Sequence, residues 1–373
     1  MTLYACGFNA HGQLLPSSSG QNPENLHTLQ KIAEGDQIRV CCALWSATVL
    51  EIDGALIFRG YHRSQLQNCE IEGPPASDFT TIFGDTSGVL GAVTRDGGFW
   101  TLCSQSSVPE FKKHVQNTFL DSENLVLDHI AIAGNEQVCM AAHKRVHALI
   151  GGEKMRLSSS SYSMHTFPTL ASFLASRSPS HSYTIPAPLT SLFASNTSFT
   201  ALSTNSDVYI FGDPRHCPFG RIPKPLAALG GVPIAKVATG GWVSAALSRD
   251  KDLYIYGGRP GEEERMKCLP LLNCGEEVSL VDLEGGVDVR DVGVGAGHVV
   301  ALTESRGVWG TGDSGSGQLG VGKGMMDVKM KRPFQKDWVR MGGEEVWGKN
   351  MRPVGVEAGE WGTFVLVERT DGG

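Results

Sequence analysis

The stretch Val289–Gly322, VRDVGVGAGHVVALTESRGVWGTGDSGSGQLGVG, has the form of one complete repeat unit. A run rich in β-branched residues ends at Gly295, and a second apolar run, VVALT, follows His298. A turn at Glu304–Gly307 leads into a third run, VWGT, and Gly312 begins a Gly-rich tail that ends in GQLGVG. Because recurrence of such a unit decides a fold before any single residue does, the other copies determine the predicted architecture.

The unit recurs along the whole chain when it is counted from Gly295 as an anchor. Two apolar residues follow six and seven positions later, Ala301 and Leu302 in this unit, then a turn, a strand-like run and, at position seventeen, usually glycine. In the copy at Gly134 this frame assigns the third run to HALI, which ends at Ile150, and the terminal glycine to Gly151. Seven anchors share the frame: Ala43, Thr86, Gly134, Ser195, Gly240, Gly295 and Gly359.

The last unit is incomplete, and its missing part lies at the other end of the chain. After Gly359 come Val365 and Leu366 and then the C-terminus, whereas the N-terminus supplies LYAC, Gly7 and the tail FNAHGQL. A ring of blades must close to avoid unpaired strand edges. Short strands at even spacing with glycine turns are typical of propellers. We therefore predict an all-β, seven-bladed β-propeller, closed by pairing the N-terminal strand with the C-terminal hairpin.

The spacing between units predicts one domain, residues 1–373, with two long insertions. The first, at 152–188, is a Ser-rich inserted loop, and the second, at 320–352, is a basic inserted loop. Within the second, Lys323–Arg340 carries six basic and two acidic residues, with aromatic and methionine side chains between them. The loop is either a partner-binding surface or a loop whose apolar residues fold back on the blade. Its candidate partner-binding residues are Lys329, Lys331, Arg332, Phe334 and Trp338.

Tryptophan occupies the same frame position, two residues after the anchor, in three units: Trp45, Trp242 and Trp361. Equivalent positions of a propeller lie on one face at one radius, so these side chains are expected around one mouth of the central channel. Tryptophans are favoured anchors of protein interfaces. The alternative is that each ring wedges between adjacent blades.

Composition and charge exclude several classes of protein. Hydrophobic residues make up 41% of the chain and charged residues 19%, which indicates a folded protein, and the net charge is −7. We therefore expect no direct nucleic-acid or membrane binding. No apolar run approaches the length of about 18 residues that a membrane helix needs. The N-terminus does not resemble a secretory signal, and nine cysteines without a CxxC motif indicate free thiols. A monomeric, cytoplasmic and/or nuclear protein is expected.

Sequences that resemble catalytic or nucleotide-binding motifs are explained by the repeat. Gly315–Gly320 matches GxGxxG and Gly317–Gly324 nearly matches a Walker A loop, but no helix-forming stretch follows either motif. The histidines show no metal-ligand spacing, and His298 is expected to bond the backbone of a neighbouring blade. We predict a protein that is not an enzyme, with no catalytic residues, cofactor or metal.

The repeat at Val289–Gly322 resembles the regulator of chromosome condensation repeat family. His298, the Ala301-Leu302 pair, Gly312 and Gln318-Leu319-Gly320 match the family pattern, as do Gly7, Asn9 and Gly12–Leu14 in the N-terminal tail. The resemblance spans the chain, although the units anchored at Thr86, Gly134 and Ser195 lack the GQLG tail. It implies a seven-bladed propeller.

Proteins of this family act mostly by binding other proteins, so the resemblance implies an adaptor or regulatory subunit with a protein partner. Two alternatives come from the same family. One is a guanine nucleotide exchange factor for a Ran-like small GTPase, to which acidic residues such as Glu262–Glu264 would contribute. The other is an accessory partner of a tRNA wobble-uridine or diphthamide modification complex.

Overall fold

The computed structural model describes residues 1–373 except 17–22, 63–64, 104–107, 115–116, 145, 151–152, 158–161, 216, 218, 258–277, 284, 323–325, 328–331 and 371–373. The strands in chain order are β1 (Thr2–Gly7), β2 (Leu26–Glu34), β3 (Ile38–Ala43), β4 (Ala47–Ile52), β5 (Ala55–His62), β6 (Gln65–Glu70), β7 (Phe79–Asp85), β8 (Gly88–Thr94), β9 (Phe99–Cys103), β10 (Glu110–Lys113), β11 (Leu125–Ile132), β12 (Val138–Lys144), β13 (Val146–Ile150), β14 (Glu153–Leu157), β15 (Tyr162–Phe167), β16 (His181–Ile185), β17 (Leu189–Ala194), β18 (Ser198–Ser203), β19 (Val208–Gly212), β20 (Lys224–Pro225), β21 (Ile234–Gly240), β22 (Val243–Ser248), β23 (Leu253–Gly257), β24 (Val278–Val281), β25 (Val289–Val294), β26 (His298–Thr303), β27 (Val308–Asp313), β28 (Met326–Asp327), β29 (Arg332–Arg340), β30 (Met351–Ala358) and β31 (Gly362–Arg369). The short α-helices are α1 (Thr118–Ser122), α2 (Leu170–Leu174) and α3 (Glu344–Trp347), and 3₁₀ turns occur at Ala76–Asp78 and Ala227–Leu229.

The strands form a seven-bladed propeller, as predicted. From the centre outwards, the blades are β3-β4-β5-β6, β7-β8-β9-β10, β11-β12-β15-β16, β17-β18-β19-β20, β21-β22-β23-β24, β25-β26-β27-β29-β28 and β30-β31-β1-β2. Neighbouring innermost strands contact one another around the ring, as β7 does with β11 and β25 with β30. Each anchor residue lies at the end of one of these innermost strands or just beyond it.

The last blade closes the ring with both ends of the chain. β1 pairs antiparallel with β31 over six residue pairs, from Thr2↔Val367 to Gly7↔Gly362. The N-terminal strand thus completes a blade that the C-terminal hairpin begins, which confirms the predicted closure.

The second strand of each blade is buried on both faces, because it lies between two neighbouring blades. In β26 all six residues are buried. Val299 and Ala301 pack with the preceding blade, whereas Val300 and Leu302 pack with the closing blade. The alternation of strand side chains therefore explains why both residues of the recurring Ala-Leu pair are apolar.

The third strand of the blade at Gly134 differs from the sequence prediction. The HALI run belongs to β13, which pairs with β14 in a separate hairpin. The strand that pairs with β12 is β15, where Met164 and Phe167 are 0% and 1% exposed. β15 takes this place because its apolar side chains fill the cores on both sides of the blade. The predicted loop at 152–188 therefore contains the outer blade strands β15 and β16.

The basic insertion at 320–352 also contains part of a blade. β29 pairs with β27, from Trp309↔Arg340 to Asp313↔Phe334, so Arg332–Arg340 is a blade strand rather than a loop. The structure places α3 after this strand.

Glycine at the end of the third strand permits the close approach of two backbones. At Gly312 the backbone has φ +105°, and a Cβ there would lie 2.3 Å from the carbonyl oxygen of Gly297. Gly54 also has a left-handed backbone, with φ +86°, but a Cβ there would meet nothing within 4 Å.

We expect Gly312→Ala to lower the free energy of unfolding by about 3 kcal/mol or more, because backbone strain and a steric clash add. Gly54→Ala is the matched control and is expected to cost about 1 kcal/mol, from backbone strain alone. Urea unfolding followed by tryptophan fluorescence measures both. Equal losses in the two variants would contradict the close-approach explanation.

Candidate functional site

The ring encloses a central channel that contains a cavity of about 1020 Å³. Its walls are the ends of the innermost strands and the loops that follow them, including residues 41–45, 80–86, 129–134, 190–196 and 358–361. Because every innermost strand runs in the same direction along the channel, the residues after the anchors all gather at one end. This end is called the channel mouth below.

The three predicted tryptophans, Trp45, Trp242 and Trp361, all line this cavity. Trp45 is partly buried, and its Nε1 donates to the carbonyl oxygen of Thr86 in the next blade at 2.8 Å. Trp242 is also partly buried. Trp361 is 44% exposed. Trp45 therefore bridges two blades, as in the wedge alternative, whereas Trp361 presents its ring to solvent.

Five aromatic rings form a group that we name the mouth cluster: Phe8, His11, Trp45, Tyr61 and Trp361. Trp45 and Trp361 line the cavity, and the other three adjoin them. The ring centroid of Phe8 lies 6.4 Å from that of Trp45 and 6.2 Å from that of Trp361. The ring centroid of His11 lies 4.9 Å from that of Trp45 and 5.6 Å from that of Tyr61. Tyr61 is 37% exposed. The cluster is thus a contiguous aromatic surface with two well-exposed rings.

A buried glutamine holds the mouth cluster together. The Nε2 of Gln13 donates to the carbonyl oxygens of Phe8 at 2.9 Å and Trp45 at 2.6 Å. Its Oε1 accepts the backbone N–H of His11 at 3.1 Å. Gln13 is only 2% exposed. One side chain therefore sets the backbone positions of three cluster residues.

The charged residues that line the channel mouth are acidic. They are Asp85, Asp313 and Glu360, and the lining, all within the described part of the chain, contains no lysine or arginine. Burial raises the pKa of Glu360, although the backbone N–H of Trp45 bonds its carboxylate and opposes that shift. Burial lowers the pKa of His11, which favours the neutral imidazole. The mouth thus combines aromatic faces with negative charge.

A different arrangement lies further along the channel. Lys236 Nζ bonds Asp291 Oδ1 at 2.8 Å and Glu357 Oε1 at 3.0 Å, so one ammonium joins three neighbouring innermost strands. Burial is the largest influence on the Lys236 pKa, but the two carboxylates outweigh it and raise that pKa. The ion pairs compensate Lys236 and one of the two carboxylates, and they join the three strands of the ring.

A serine and a histidine in the blade at Gly134 resemble half of a hydrolase triad. The Oγ of Ser163 lies 2.8 Å from His165 Nε2. The Nδ1 of His165, however, contacts Ser182 Oγ rather than a carboxylate. Burial lowers the pKa of His165 to about 4, which makes it a poor base. The arrangement therefore fits a buried hydrogen-bond chain.

The structure describes the side chains of two residues of the predicted basic site, Phe334 and Trp338. Phe334 is 6% exposed, and Trp338 packs against the hydrophobic core between two blades. Arg332 begins β29, whereas Lys329 and Lys331 lie outside the described residues. The two aromatic side chains thus follow the alternative that they fold back on the blade.

Sequence reasoning missed three residues of the mouth cluster, Phe8, His11 and Tyr61, and Glu360 in the cavity lining. A signal for two of them was present, because Phe8 and Tyr61 each directly follow the terminal glycine of a unit. The proximity of Phe8 to Trp361 depends on closure of the ring, which brings the two ends of the chain together.

The described residues contain no group of three or more His, Cys, Asp or Glu side chains placed to hold a metal ion. The seven cysteines among them are all free. None of the helices in the described ranges is long and apolar enough to span a membrane.

Comparison with protein families supports the resemblance seen in the sequence. The family model for the regulator of chromosome condensation (RCC1) repeat matches residues 289–318 of this chain. The chain carries an RCC1 repeat. The human E3 ubiquitin-protein ligase HERC2 is 27% identical over 178 residues, which cover 40% of this chain and 4% of HERC2. This chain therefore corresponds to a small part of that much longer relative.

Solved propellers that contain RCC1-type blades share the fold over almost the whole chain. Prp20p from Saccharomyces cerevisiae, reported with its binding properties to Gsp1p and histones, superposes with a TM-score of 0.62 at 12% identity, covering 99% of this chain and 92% of Prp20p. Human WBSCR16 superposes with a TM-score of 0.61 at 12% identity, covering 99% of both chains. At such low identity these similarities establish the RCC1-like propeller fold and nothing further.

We expect Gln13→Ala to lower the free energy of unfolding by about 2 kcal/mol, because it leaves buried carbonyl oxygens without donors. The fluorescence of Trp45 and Trp361 should also change, since the cluster loses its common support. The exposed Gln30, whose side chain donates to Thr28 Oγ1 in the same strand β2, provides the control Gln30→Ala, expected within about 0.5 kcal/mol of the parent. Urea unfolding and emission spectra measure both. An unchanged spectrum for Gln13→Ala would show that Gln13 does not order the cluster.

Proposed function

We propose that this protein is a non-enzymatic adaptor or regulatory subunit, which binds a protein partner through the channel mouth that carries Trp45, Trp242 and Trp361. The observation that carries the proposal is the mouth cluster. Trp361 and Tyr61 are 44% and 37% exposed, and Trp and Tyr are enriched in the residues that dominate binding energy.

Rigidity of the cluster supports the same function. The Gln13 hydrogen bonds fix the backbone before any partner arrives, so little conformational entropy is lost on binding. Contiguous exposed apolar patches mark interaction sites on soluble proteins, and two rings of the mouth cluster are exposed.

Affinity purification from native extract, followed by quantitative mass spectrometry, tests this proposal. We expect a stoichiometric partner with the unmodified protein and its recovery to fall at least about tenfold for Trp361→Ala, since an interface anchor contributes about 2 kcal/mol or more. Leu280→Ala is the control, because Leu280 is 63% exposed on the outer strand β24, away from the mouth.

Equal recovery with Trp361→Ala and Leu280→Ala would refute binding at the mouth. The absence of any stoichiometric partner would count against an adaptor altogether. Recovery of tRNA wobble-uridine or diphthamide modification enzymes would identify the accessory role that the family resemblance implies.

A guanine nucleotide exchange factor for a Ran-like small GTPase is the second candidate. It is supported by the fold shared with Prp20p, a protein reported with its binding to Gsp1p. An exchange factor acts by binding the nucleotide-free GTPase more tightly than the loaded one. The predicted acidic residues Glu262–Glu264 lie outside the described residues. Within the described part of the chain, Asp85 and Glu360 supply acidic side chains at the mouth.

Release of a fluorescent GDP analogue from Ran tests the exchange activity. If the protein is an exchange factor, release is faster than the spontaneous rate and slows again with Trp361→Ala. EDTA, which accelerates release of the nucleotide from Ran, is the positive control. Release of the analogue at the spontaneous rate in an assay where EDTA still accelerates it would rule out exchange activity.

A further inference from the structure

The mouth cluster presents ring faces and negative charge to the same space. Trp361, the most exposed ring, adjoins Glu360 in sequence, and both line the cavity. The backbone N–H of Trp45 is close enough to this carboxylate to lower its pKa. Asp85 lies near enough to Glu360 to raise the pKa of that carboxyl. Two acidic groups therefore lie among the bases of two tryptophans.

No cationic side chain of the described lining offsets this charge. Arg59, on the strand that carries Tyr61, is only 9% exposed and donates to the carbonyl oxygens of Leu14 and Ile32. Lys236 is bound to its own two carboxylates further along the channel. The negative potential of the mouth is thus available to a ligand.

Aromatic faces and nearby carboxylates together select a cation over an apolar group. The negative face of an indole ring attracts an ammonium or guanidinium within about 6 Å, most strongly where water is partly excluded. The protein already contains one such contact, because Lys113 Nζ lies 5.9 Å from the ring centroid of Trp100. A purely apolar anchor would have to desolvate Glu360 and Asp85 without compensation, which opposes its binding.

We propose that the mouth cluster is the docking site for a basic segment of the protein partner, which places an arginine or lysine side chain against Trp361 and Trp45 with its charge facing Glu360 and Asp85. This proposal rests on the proposed adaptor function and adds the chemistry of the partner. Glu360 and Asp85 provide the charge, the tryptophans provide the faces, and Gln13 keeps the faces in place.

A fluorescein-labelled hexa-arginine peptide, measured by fluorescence anisotropy at low and at physiological salt, is the probe. Trp361→Ala and Glu360→Gln should each weaken its binding about fivefold to thirtyfold. Trp361→Phe should retain most of the affinity, because it keeps an aromatic face. Hexa-glutamate should not bind.

Asp36→Asn is the matched charge control. Asp36 is exposed and lies two residues before the innermost strand β3, at the opposite end of that strand from the mouth. The substitution Asp36→Asn removes one negative charge from a protein of net charge −7, as Glu360→Gln does. We expect it to change the affinity for hexa-arginine less than about twofold. Near-ultraviolet circular dichroism confirms that each variant is folded.

An equal effect of Asp36→Asn and Glu360→Gln, or full affinity of Trp361→Ala, would overturn the proposal by showing that the peptide binds through general charge. The two proposals fail separately. If the natural partner is lost with Trp361→Ala but bound normally by Glu360→Gln, the adaptor function stands and the basic segment is wrong. If hexa-arginine binds as expected but no partner is recovered, the chemistry of the site stands and the adaptor function is wrong.

Discussion

The pairing of β1 with β31 is the interaction on which the rest of this propeller depends. A ring that failed to close would expose two strand edges and the apolar side chains between the first and last blades. The chain reinforces this seam with a buried polar chain, in which His298 Nε2 donates to Thr363 Oγ1 at 3.0 Å. Thr363 Oγ1 and Cys6 Sγ in turn donate to the carbonyl oxygen of Gln318. The best-preserved repeat and both ends of the chain therefore meet at one place.

The repeat tails act as connectors between blades, and this role explains their glutamines. Gln13 and Gln318 occupy the same position in two units, and each Oε1 accepts a backbone N–H two residues earlier, from His11 and Ser316. Gln13 also reaches across to the carbonyl oxygen of Trp45 in the next blade. A residue pattern that imitates a nucleotide-binding loop thus serves a structural purpose, since its side chains satisfy backbone groups at a blade junction.

The channel has two chemically distinct regions, and the difference follows from how charges are compensated. Lys236 forms ion pairs with both Asp291 and Glu357, so that region contributes to cohesion of the ring. At the mouth, the carboxylates of Asp85 and Glu360 lie beside aromatic rings, with no lysine or arginine in the described lining. A carboxylate without a cationic partner in the protein can attract a cationic ligand. For this reason we propose the mouth as the binding site.

The amino-acid sequence by itself determined the number of blades and the turns between their strands. These depend on local periodicity and on glycines such as Gly54, whose left-handed backbone is a local requirement. It also placed Trp45, Trp242 and Trp361 at equivalent positions, which the structure brings to one cavity. The tertiary structure alone decided between competing local signals. In the tertiary structure β15, and not the HALI run, pairs with β12, and Phe334 is buried. Both results depend on which side chains fill the space between blades. The tertiary structure also decided the mouth cluster, since Phe8 and Trp361 are neighbours only after closure joins the two ends of the chain, and no local pattern records a contact of that range.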